Sequence, residues 1–305
     1  MQSGRSLLHE FVVWGNAAYT CPVVATHHLR ATHDSQRISI FIDNAIAPCV
    51  EQHAAPNCRP FVHPLRAPDG CTVLTEDAPA HHPWQHGLYT GLNDVNGIGF
   101  WTEGLHESHR AIDGTFHPLP LMAPQVDGDR ARWAVQCEWR SQAGDALLHE
   151  KQIWTLRANF LDLAWTLTAM VDLTFGCYDY GGLFLRMPFR QARGGEAINS
   201  AGQHNADAEA QRARWCAVAM PMDDAGKWAG IALFDHPSNA QYPTPWRVDN
   251  ELGIGPSPCI AGAWRLQAGE YRSFHYGVLP FMGRVDAGLI RQHHDIFIAE
   301  AEETP

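Results

Sequence analysis

The stretch from residue 81 to residue 101, HHPWQHGLYTGLNDVNGIGFW, holds the densest set of chemically active side chains in the chain. It combines three imidazoles, two indoles, a glutamine, two asparagines and four glycines. Pro83 and the glycines interrupt any helix, so these polar groups must lie on a shaped loop and at a strand edge. Loops that a rigid scaffold presents often carry binding and catalytic sites. We therefore predict that this stretch is the functional site.

Two of its histidines have the chemistry to move a proton. An imidazole titrates near neutral pH and can act as a general acid or base toward a sugar oxygen. We predict His86 as the main catalytic residue. His82 comes second, because a residue before a proline has a restricted backbone that suits holding the loop.

The remaining side chains of the stretch suit a polar, ring-shaped ligand. Indole faces stack on the C–H surface of a sugar, and amides hydrogen-bond its hydroxyl groups. The predicted partner is thus a small-molecule carbohydrate. The substrate-binding residues predicted here are Trp84, Gln85, Asn93, Asn96 and Trp101.

A second polar cluster follows a strand-like segment at residues 235–250, DHPSNAQYPTPWRVDN. We predict that His236, Trp246 and Arg247 bind the ligand from this side, forming the opposite wall of one pocket. Arg186 lies in the apolar segment GGLFLRMPF. An inward arginine there needs a carboxylate on the protein or on the ligand, so Arg186 joins the predicted binding residues.

Two alternatives to acid–base chemistry remain at the histidines. His82 and His86 have the i, i+4 spacing of a metal pair, to which His63 or His106 and Glu103 could add a facial non-haem iron site. That spacing requires a helix, in which Pro83 fits only the first turn. The favoured interpretation therefore has no metal and no cofactor. In the other alternative, both rings satisfy buried backbone groups.

The elements that position these residues are mostly strands. Residues 37–43, RISIFID, alternate apolar and polar side chains, and Trp133, Val135, Cys137 and Trp139 share one face of another strand. Residues 161–173 alternate in the same way and predict one long strand. Helical spacing occurs only at the end, in residues 284–300, and β–α alternation is absent. The sequence predicts an all-β fold, a large antiparallel β-sandwich with a C-terminal helix.

The predicted domain organisation is one β-sandwich domain over residues 37–305. Residues 1–36 precede it as a poorly defined N-terminal segment, in which HHLRATHDSQR resembles a surface connection. Eight cysteines without a C-x-x-C pair suit reduced thiols, and no signal-peptide pattern opens the chain. We therefore expect a cytoplasmic protein.

Charge and hydropathy exclude two classes of partner. The chain has 22 basic and 33 acidic residues and a net charge of −11. Nucleic acids and anionic membranes both attract a concentrated basic face, so neither is an expected partner. A run of about 18 apolar residues, which a membrane span needs, is also absent. The oligomeric state is not predicted.

Three motifs in order resemble a bacterial family that carries the label "PmoA, methane oxygenase". They are residues 59–101, residues 180–189 (YGGLFLRMPF) and residues 234–248 (FDHPSNAQYPTPWRV). The resemblance runs from Ile38 to Gly283. Many members have H-P-H-H-R-G where this chain has residues 82–87, HPWQHG, so Trp84, Gln85 and His86 depart from the usual pattern.

The resemblance implies a galactose-mutarotase-like supersandwich and a carbohydrate setting. With the residues above, it predicts a carbohydrate-active enzyme of the epimerase, mutarotase, hydrolase or lyase type, acting on a sugar or keto-sugar. The family label implies the alternative of a metal-dependent oxygenase, although a membrane methane monooxygenase subunit is rich in transmembrane helices. The other alternative is a sugar-binding protein without catalysis.

Overall fold

Strands dominate the part of the chain that the computed structural model describes, residues 27–302. The strands are β1 (Leu29–His33), β2 (Arg37–Ile42), β3 (Val50–His53), β4 (Phe61–Leu65), β5 (Leu88–Val95), β6 (Ile98–Phe100), β7 (Thr115–Pro118), β8 (Gln125–Asp127), β9 (Arg130–Arg140), β10 (Ala146–Arg157), β11 (Phe160–Ala169), β12 (Leu173–Phe175), β13 (Gly182–Leu185), β14 (Glu196–Asn199), β15 (Trp215–Pro221), β16 (Trp228–Asp235), β17 (Trp246–Val248), β18 (Ile254–Pro256), β19 (Trp264–Leu266) and β20 (Tyr271–Met282). Short 3-10 helices span Asn205–Ala208 and Pro258–Ala261, and the α-helix α1 spans Ala287–Glu302.

The strands form two antiparallel sheets. The first sheet has the order β1-β2-β3-β4-β5-β13-β18-β17, with β6 and β12 paired to β5 and β19 paired to β12. The second has the order β14-β15-β16-β20-β11-β10-β9-β7, with β8 beside β9. The predicted fold class, a large antiparallel β-sandwich with a C-terminal helix, is confirmed.

Period-two patterns produce the core between the sheets. In β9 the burial alternates residue by residue, and Trp133, Val135, Cys137 and Trp139 are buried as predicted. Successive side chains of a strand point to opposite faces, so one face of β9 meets water and the other meets the first sheet.

A buried carboxylate links the two sheets inside this core. Glu150 of β10 is fully buried and accepts hydrogen bonds from the indole N–H groups of Trp139 (2.9 Å) and Trp165 (2.7 Å). It also accepts one from the hydroxyl of Thr90 on β5 (2.6 Å) and one from Gln152 (2.8 Å). A polar group buried this deeply needs such hydrogen-bond partners. The contact fixes β5 against the second sheet.

The helix α1 covers part of the outer face of the second sheet. Phe297 and Ile290 of α1 pack with Trp215 and Ala217 of β15 and with Phe234 of β16. Strands β15 and β16 are therefore buried on both faces, which explains their nearly continuous apolar sequences.

The predicted long strand over residues 161–173 is wrong in one respect. Strand β11 ends at Ala169 in the second sheet, and β12 begins at Leu173 in the first sheet. Between them Met170 and Val171 are exposed, by 53% and 40%. The apolar alternation continues across the break because the chain passes from one sheet to the other.

The interpretation of residues 27–37 as a surface connection is also wrong. Leu29–His33 form β1, which pairs with β2 from Leu29–Ile42 to His33–Ile38. Residues 1–26 of the predicted N-terminal segment lie outside the described residues.

Two further observations concern residues 27–302 only. Seven cysteines in this range are free, and Cys137, Cys216 and Cys259 are buried. In the same range no helix combines the length and the apolar character needed to cross a membrane.

Candidate functional site

A cleft of about 400 Å³ opens beside β5, β6 and β13. Its walls come from the loop before β5, the loop after β6, the segment before β13, and β17 with the turn that follows it. The residues that line it are His82, Trp84, Gln85, Trp101, Thr102, His106, His109, Tyr180, Phe184, Arg247, Asp249, Asn250 and Glu251. The two predicted walls, residues 81–101 and residues 235–250, therefore meet in one cleft.

The loop that carries the histidines is closed at its base. The backbone N–H of Gly87 donates to Glu76, and the N–H groups of Glu76 and Arg186 donate to the carbonyls of Arg186 and Gly87. Gly87 has φ +64°, and a Cβ there would lie 2.5 Å from the carbonyl oxygen of Val62. Only glycine fits both the backbone conformation and the close approach. The loop is thus anchored on β4 and the end of β13.

Five aromatic rings form a continuous row along the cleft. The ring centroids are 4.8 Å apart for His81 and His82, and 5.3 Å apart for His82 and Trp84. Trp84 also lies 5.3 Å from His106, which lies 4.9 Å from His109. The indole of Trp84 therefore contacts one imidazole of each of two pairs.

One end of this row meets a carboxylate. Glu251 Oε2 lies 2.8 Å from His81 Nε2 and 3.8 Å from His82 Nδ1, and it contacts the guanidinium of Arg186. Arg186 is 1% exposed and also pairs with Glu76 at 3.4 Å. The predicted carboxylate partner of Arg186 is thus supplied by the protein.

Charge states at this end follow from burial and contacts. Burial lowers the pKa of His82 below its ordinary value, although the nearby Glu251 opposes this shift. Burial opposes ionisation of Glu251, but the hydrogen bonds from His81 and Arg186 outweigh it and lower the pKa of that carboxyl group. Near pH 7 a neutral His82 therefore lies beside an ionised Glu251.

His86 has a different environment. Its Nδ1 lies 2.7 Å from Asp77 and its Nε2 lies 3.1 Å from Glu103, so carboxylates engage both ring nitrogens. Burial opposes protonation, but these two hydrogen bonds outweigh it and raise the pKa of His86. Glu103 also pairs with the fully buried Arg59 at 2.8 Å. His86 is not among the residues that line the cleft, and this geometry favours a positioning role.

Glu103 is held firmly by this network. Its backbone has φ +54°, a conformation that costs a non-glycine residue about 1–3 kcal/mol. Burial raises the pKa of Glu103, but Arg59 and His86 outweigh that effect and lower it to about 2. The network fixes the segment after Trp101, whose carbonyl accepts from Arg59.

The His86 contacts predict a pH-dependent stability. Because folding raises the pKa of His86, its protonated ring stabilises the folded protein fully below the unfolded-state pKa of 6.5. This stabilisation is lost as the pH rises through the higher folded-state pKa. We expect His86→Gln to cost about 1.5–3 kcal/mol at pH 6, the usual range for a hydrogen bond to a charged group, and less at pH 9. Urea unfolding of both proteins at the two pH values measures this difference. A cost that is equal or larger at pH 9 would contradict the assignment.

Among the other predicted binding residues, three line the cleft. They are Gln85, Trp101 and Arg247. Trp101 is 5% exposed and packs against Tyr180, with centroids 4.7 Å apart. Arg247 pairs with Glu209 at 2.6 Å and remains partly exposed. These side chains can bind a ligand that enters the cleft.

Asn93 and Asn96, two of the predicted binding residues, are not among the residues that line the cleft. Asn93 is buried next to the side chain of Tyr180, which lines the cleft. Asn96 is exposed in the turn between β5 and β6, where its side chain donates to the carbonyl of Asp172 (3.0 Å) and accepts from the N–H of Thr174 (2.7 Å). Asn96 therefore joins this turn to β12.

Two others lie in packed regions. Trp246 is fully buried and donates its indole N–H to the carbonyl of Ala213 at 2.8 Å, so its ring packs in the core and does not face the cleft. The ring of His236 packs against His275 (4.5 Å) and Phe297 of α1 (5.3 Å). The strand β17 brings only Arg247 of the predicted set into the cleft.

The sequence interpretation missed several residues of the cleft. Tyr180 and Phe184 add aromatic walls, and Asp249 accepts hydrogen bonds from the N–H groups of Glu251 (2.9 Å) and Gly253 (2.8 Å). Asp249 thereby shapes the turn that presents Glu251. The available signal was the pair of carboxylates, Asp249 and Glu251, just after the segment WRV.

The structure separates the predicted metal pair. His86 is held by Asp77 and Glu103, whereas His82 groups with His81 and Glu251. The ligand atoms of His81, His82 and Glu251 all lie within 4.8 Å of one another. The residues that fit a metal ion are therefore not those that the i, i+4 spacing indicated.

Comparison with known proteins gives a family and several distant similarities. Residues 31–295 match a family model described as "Family of unknown function (DUF6807)". This description carries no activity, so the label "PmoA, methane oxygenase" stays an expectation from the sequence. No curated protein sequence gives a significant match.

Three solved structures illustrate the similarities. The Slr1438 protein from Synechocystis sp. PCC 6803 has 9% identity over 84% of this chain and 96% of that chain, with a TM-score of 0.40. A galactose mutarotase related enzyme from Lactobacillus acidophilus has 9% identity over 85% of this chain and 99% of that chain, with a TM-score of 0.37. The GH36 α-galactosidase AgaA from Geobacillus stearothermophilus has 10% identity over 84% of this chain but 40% of that chain, with a TM-score of 0.38. Similarity at this level says nothing about activity.

Proposed function

We propose that this chain, which belongs to the DUF6807 family of unknown function, is an enzyme that acts on a sugar or an oxidised sugar derivative bound in the cleft. The reaction is proton transfer at or near the ring oxygen or the anomeric carbon. The observation that carries the proposal is the contact of Trp84 with two pairs of imidazoles in the cleft.

Trp84 supplies the surface on which a sugar ring can stack. An indole face attracts the C–H face of a sugar, and Trp101 and Tyr180 add further aromatic surface to the same cleft. Gln85 and Arg247 offer N–H donors, and Asp249 offers a carboxylate to sugar hydroxyls. This combination of apolar faces and few polar groups is typical of small-molecule sites.

A sugar stacked on Trp84 would lie close to two imidazoles that contact the same indole, His82 and His106. His82, neutral near pH 7 and next to the ionised Glu251, is the proposed proton acceptor. His106, whose ring centroid lies 5.3 Å from that of Trp84, is the proposed donor. Acid–base chemistry at a sugar ring requires an acid and a base on separate sides of the reacting bond.

The role of His86 in this proposal is positioning. Both of its nitrogens are engaged by carboxylates, so it has no free nitrogen with which to exchange a proton with a ligand. It instead holds Glu103, which with Arg59 fixes the segment that begins at Trp101.

The rival from a different class is a sugar-binding module without catalysis. Such a module would need Trp84 and the hydrogen-bonding residues but no ionisable pair. The free His82 beside an ionised Glu251 in the cleft favours the enzyme.

Trp84→Ala tests the binding surface. We expect the affinity for the sugar to fall roughly 10- to 30-fold, because loss of an aromatic anchor costs about 1.4–2 kcal/mol. Saturation-transfer NMR against a panel of aldoses, ketoses and keto-sugars identifies the ligand, and calorimetry gives its Kd. The control is Trp228→Ala, which removes a partly buried indole that contacts Arg284 and does not line the cleft.

Two results would overturn the proposal. One is that no sugar of the panel binds at millimolar concentration. The other is that Trp84→Ala binds the sugar as tightly as the wild-type protein does.

A further inference from the structure

The geometry points to a binding site for one divalent transition-metal ion, with His81, His82 and Glu251 as the protein ligands. The three side chains lie at one end of the aromatic row and adjoin the cleft. The inference concerns a different residue set from the His82–His86 pair that the sequence spacing indicated.

The distances between the ligand atoms suit a common ion. His81 Nε2 and Glu251 Oε2 are 2.8 Å apart, and His82 Nδ1 lies 3.8 Å from the same oxygen. Zinc binds imidazole nitrogen and carboxylate oxygen at about 2.0–2.2 Å, so two ligands of one ion lie roughly 3–4 Å from each other. Small side-chain rotations would bring all three atoms onto one ion.

His82 contributes an independent indication. Its Nδ1 is buried and has no hydrogen-bond partner within the described part of the chain. A buried polar atom without a partner costs about 1–3 kcal/mol and calls for an explanation such as an ion. This unpartnered atom is the one that lies 3.8 Å from Glu251 Oε2.

His81 contributes a second indication. Its Nε2 lies 2.8 Å from Glu251 Oε2, which can only accept, and 3.2 Å from a guanidinium nitrogen of Arg186, which can only donate. One ring nitrogen cannot donate to the first and accept from the second in the same tautomer. An ion bound to Nε2 and Oε2 would replace the proton between them, and Arg186 would then keep its contacts with the carboxylates of Glu251 and Glu76.

Arg186 is compatible with the ion as an outer partner. Ligating carboxylates are usually hydrogen-bonded by a second residue, and Arg186 contacts Glu251 in this way. Glu76 pairs with Arg186 (3.4 Å) and with Arg190 (2.8 Å), and Asp249 adds a further carboxylate beside His82. Three carboxylates, those of Glu76, Asp249 and Glu251, therefore surround the two arginines and the proposed ion.

The ligand set indicates the class of ion. Two imidazoles and one carboxylate suit Zn²⁺, Fe²⁺, Co²⁺ or Mn²⁺, and three protein ligands leave positions open for water or a sugar oxygen. A zinc ion here would lower the pKa of a bound water to about 7, so that its hydroxide form could act as a base near neutral pH. This chemical role rests on the proposed function, in which that water would replace the free His82 imidazole as the proton acceptor.

Metal titration of the full chain without an affinity tag tests the inference. After chelation and dialysis, we expect one equivalent of Co²⁺ to bind, seen in its visible absorption, and one equivalent of Zn²⁺ by calorimetry, each with a micromolar or lower Kd. His82→Ala and Glu251→Gln should each weaken binding by at least about 100-fold, because removal of an outer partner alone costs 10- to 100-fold. His204→Ala, which removes an exposed histidine distant in sequence, should leave the Kd unchanged.

The inference is overturned if neither ion binds at millimolar concentration, or if both ligand variants, shown to be folded by circular dichroism, keep the wild-type Kd. Sugar affinity, measured separately on metal-free and metal-loaded protein, keeps the two proposals distinguishable. Sugar binding without ion binding ends the metal inference alone, whereas ion binding without sugar binding ends the proposed function alone.

Discussion

Replacement of Glu150 by leucine is expected to destabilise the protein by about 3–5 kcal/mol, because several buried donors lose their acceptor and each unsatisfied donor costs about 1–3 kcal/mol. Leucine fills a similar volume but leaves the indole N–H groups of Trp139 and Trp165 and the hydroxyl of Thr90 without their acceptor. Each of these donors is buried, so water cannot replace the carboxylate. Equilibrium unfolding in urea measures the loss as a lower midpoint with an unchanged slope.

The matched control is Glu138→Leu on the neighbouring strand β9. Glu138 is 34% exposed and pairs with Arg140, and an exposed ion pair contributes only about 0–1 kcal/mol. A Glu150→Leu protein as stable as Glu138→Leu would show that the carboxylate does not hold the sheets together.

His82→Ala is expected to lower kcat for the identified sugar by about 10²- to 10⁴-fold, the range for loss of a general acid or base. His82 lines the cleft and lies 3.8 Å from Glu251, so its loss affects the reacting end whether it accepts the proton itself or holds an ion. KM should change little, because the stacking surface of Trp84 is retained. Exchange NMR of the two anomers, or of substrate and product, gives the rate.

His86→Gln provides the comparison in the same assay. Because His86 acts through Glu103 and does not line the cleft, we expect a smaller loss of kcat than for His82→Ala. An unchanged kcat in His82→Ala, or a larger loss in His86→Gln, would return the catalytic role to His86.

Much of the fold follows from local patterns in the sequence. The alternation in β9 predicts its buried tryptophans, because a strand shows its two faces in turn. The break between β11 and β12 does not follow from the pattern, because Leu173 keeps the alternation although its strand belongs to the other sheet. Such breaks depend on pairing between strands that are distant in sequence, and a local periodic pattern does not show this pairing.

The site residues also fall into two groups, those that the sequence predicts and those whose contacts depend on the fold. His82, Trp84, Gln85 and Trp101 are close in sequence and were predicted together. Glu251 lies 170 residues from His81, so its contact with the histidines depends on how β17 and β18 meet β13. The different roles of His82 and His86 likewise depend on which carboxylates the fold brings to each ring.

The same limit explains why Trp246 was placed on the wrong face. Its neighbour Arg247 lines the cleft, and successive residues of a strand point to opposite sides. The sequence shows that the two alternate but does not show which of them faces the ligand.

A crystal structure of the protein with the sugar found in the NMR screen tests the central claim most directly. We predict that the sugar ring lies against the indole of Trp84, with an oxygen of the ring or of the anomeric carbon directed toward His82 and Glu251. A sugar bound elsewhere on the protein, with the face of Trp84 free, would contradict the account.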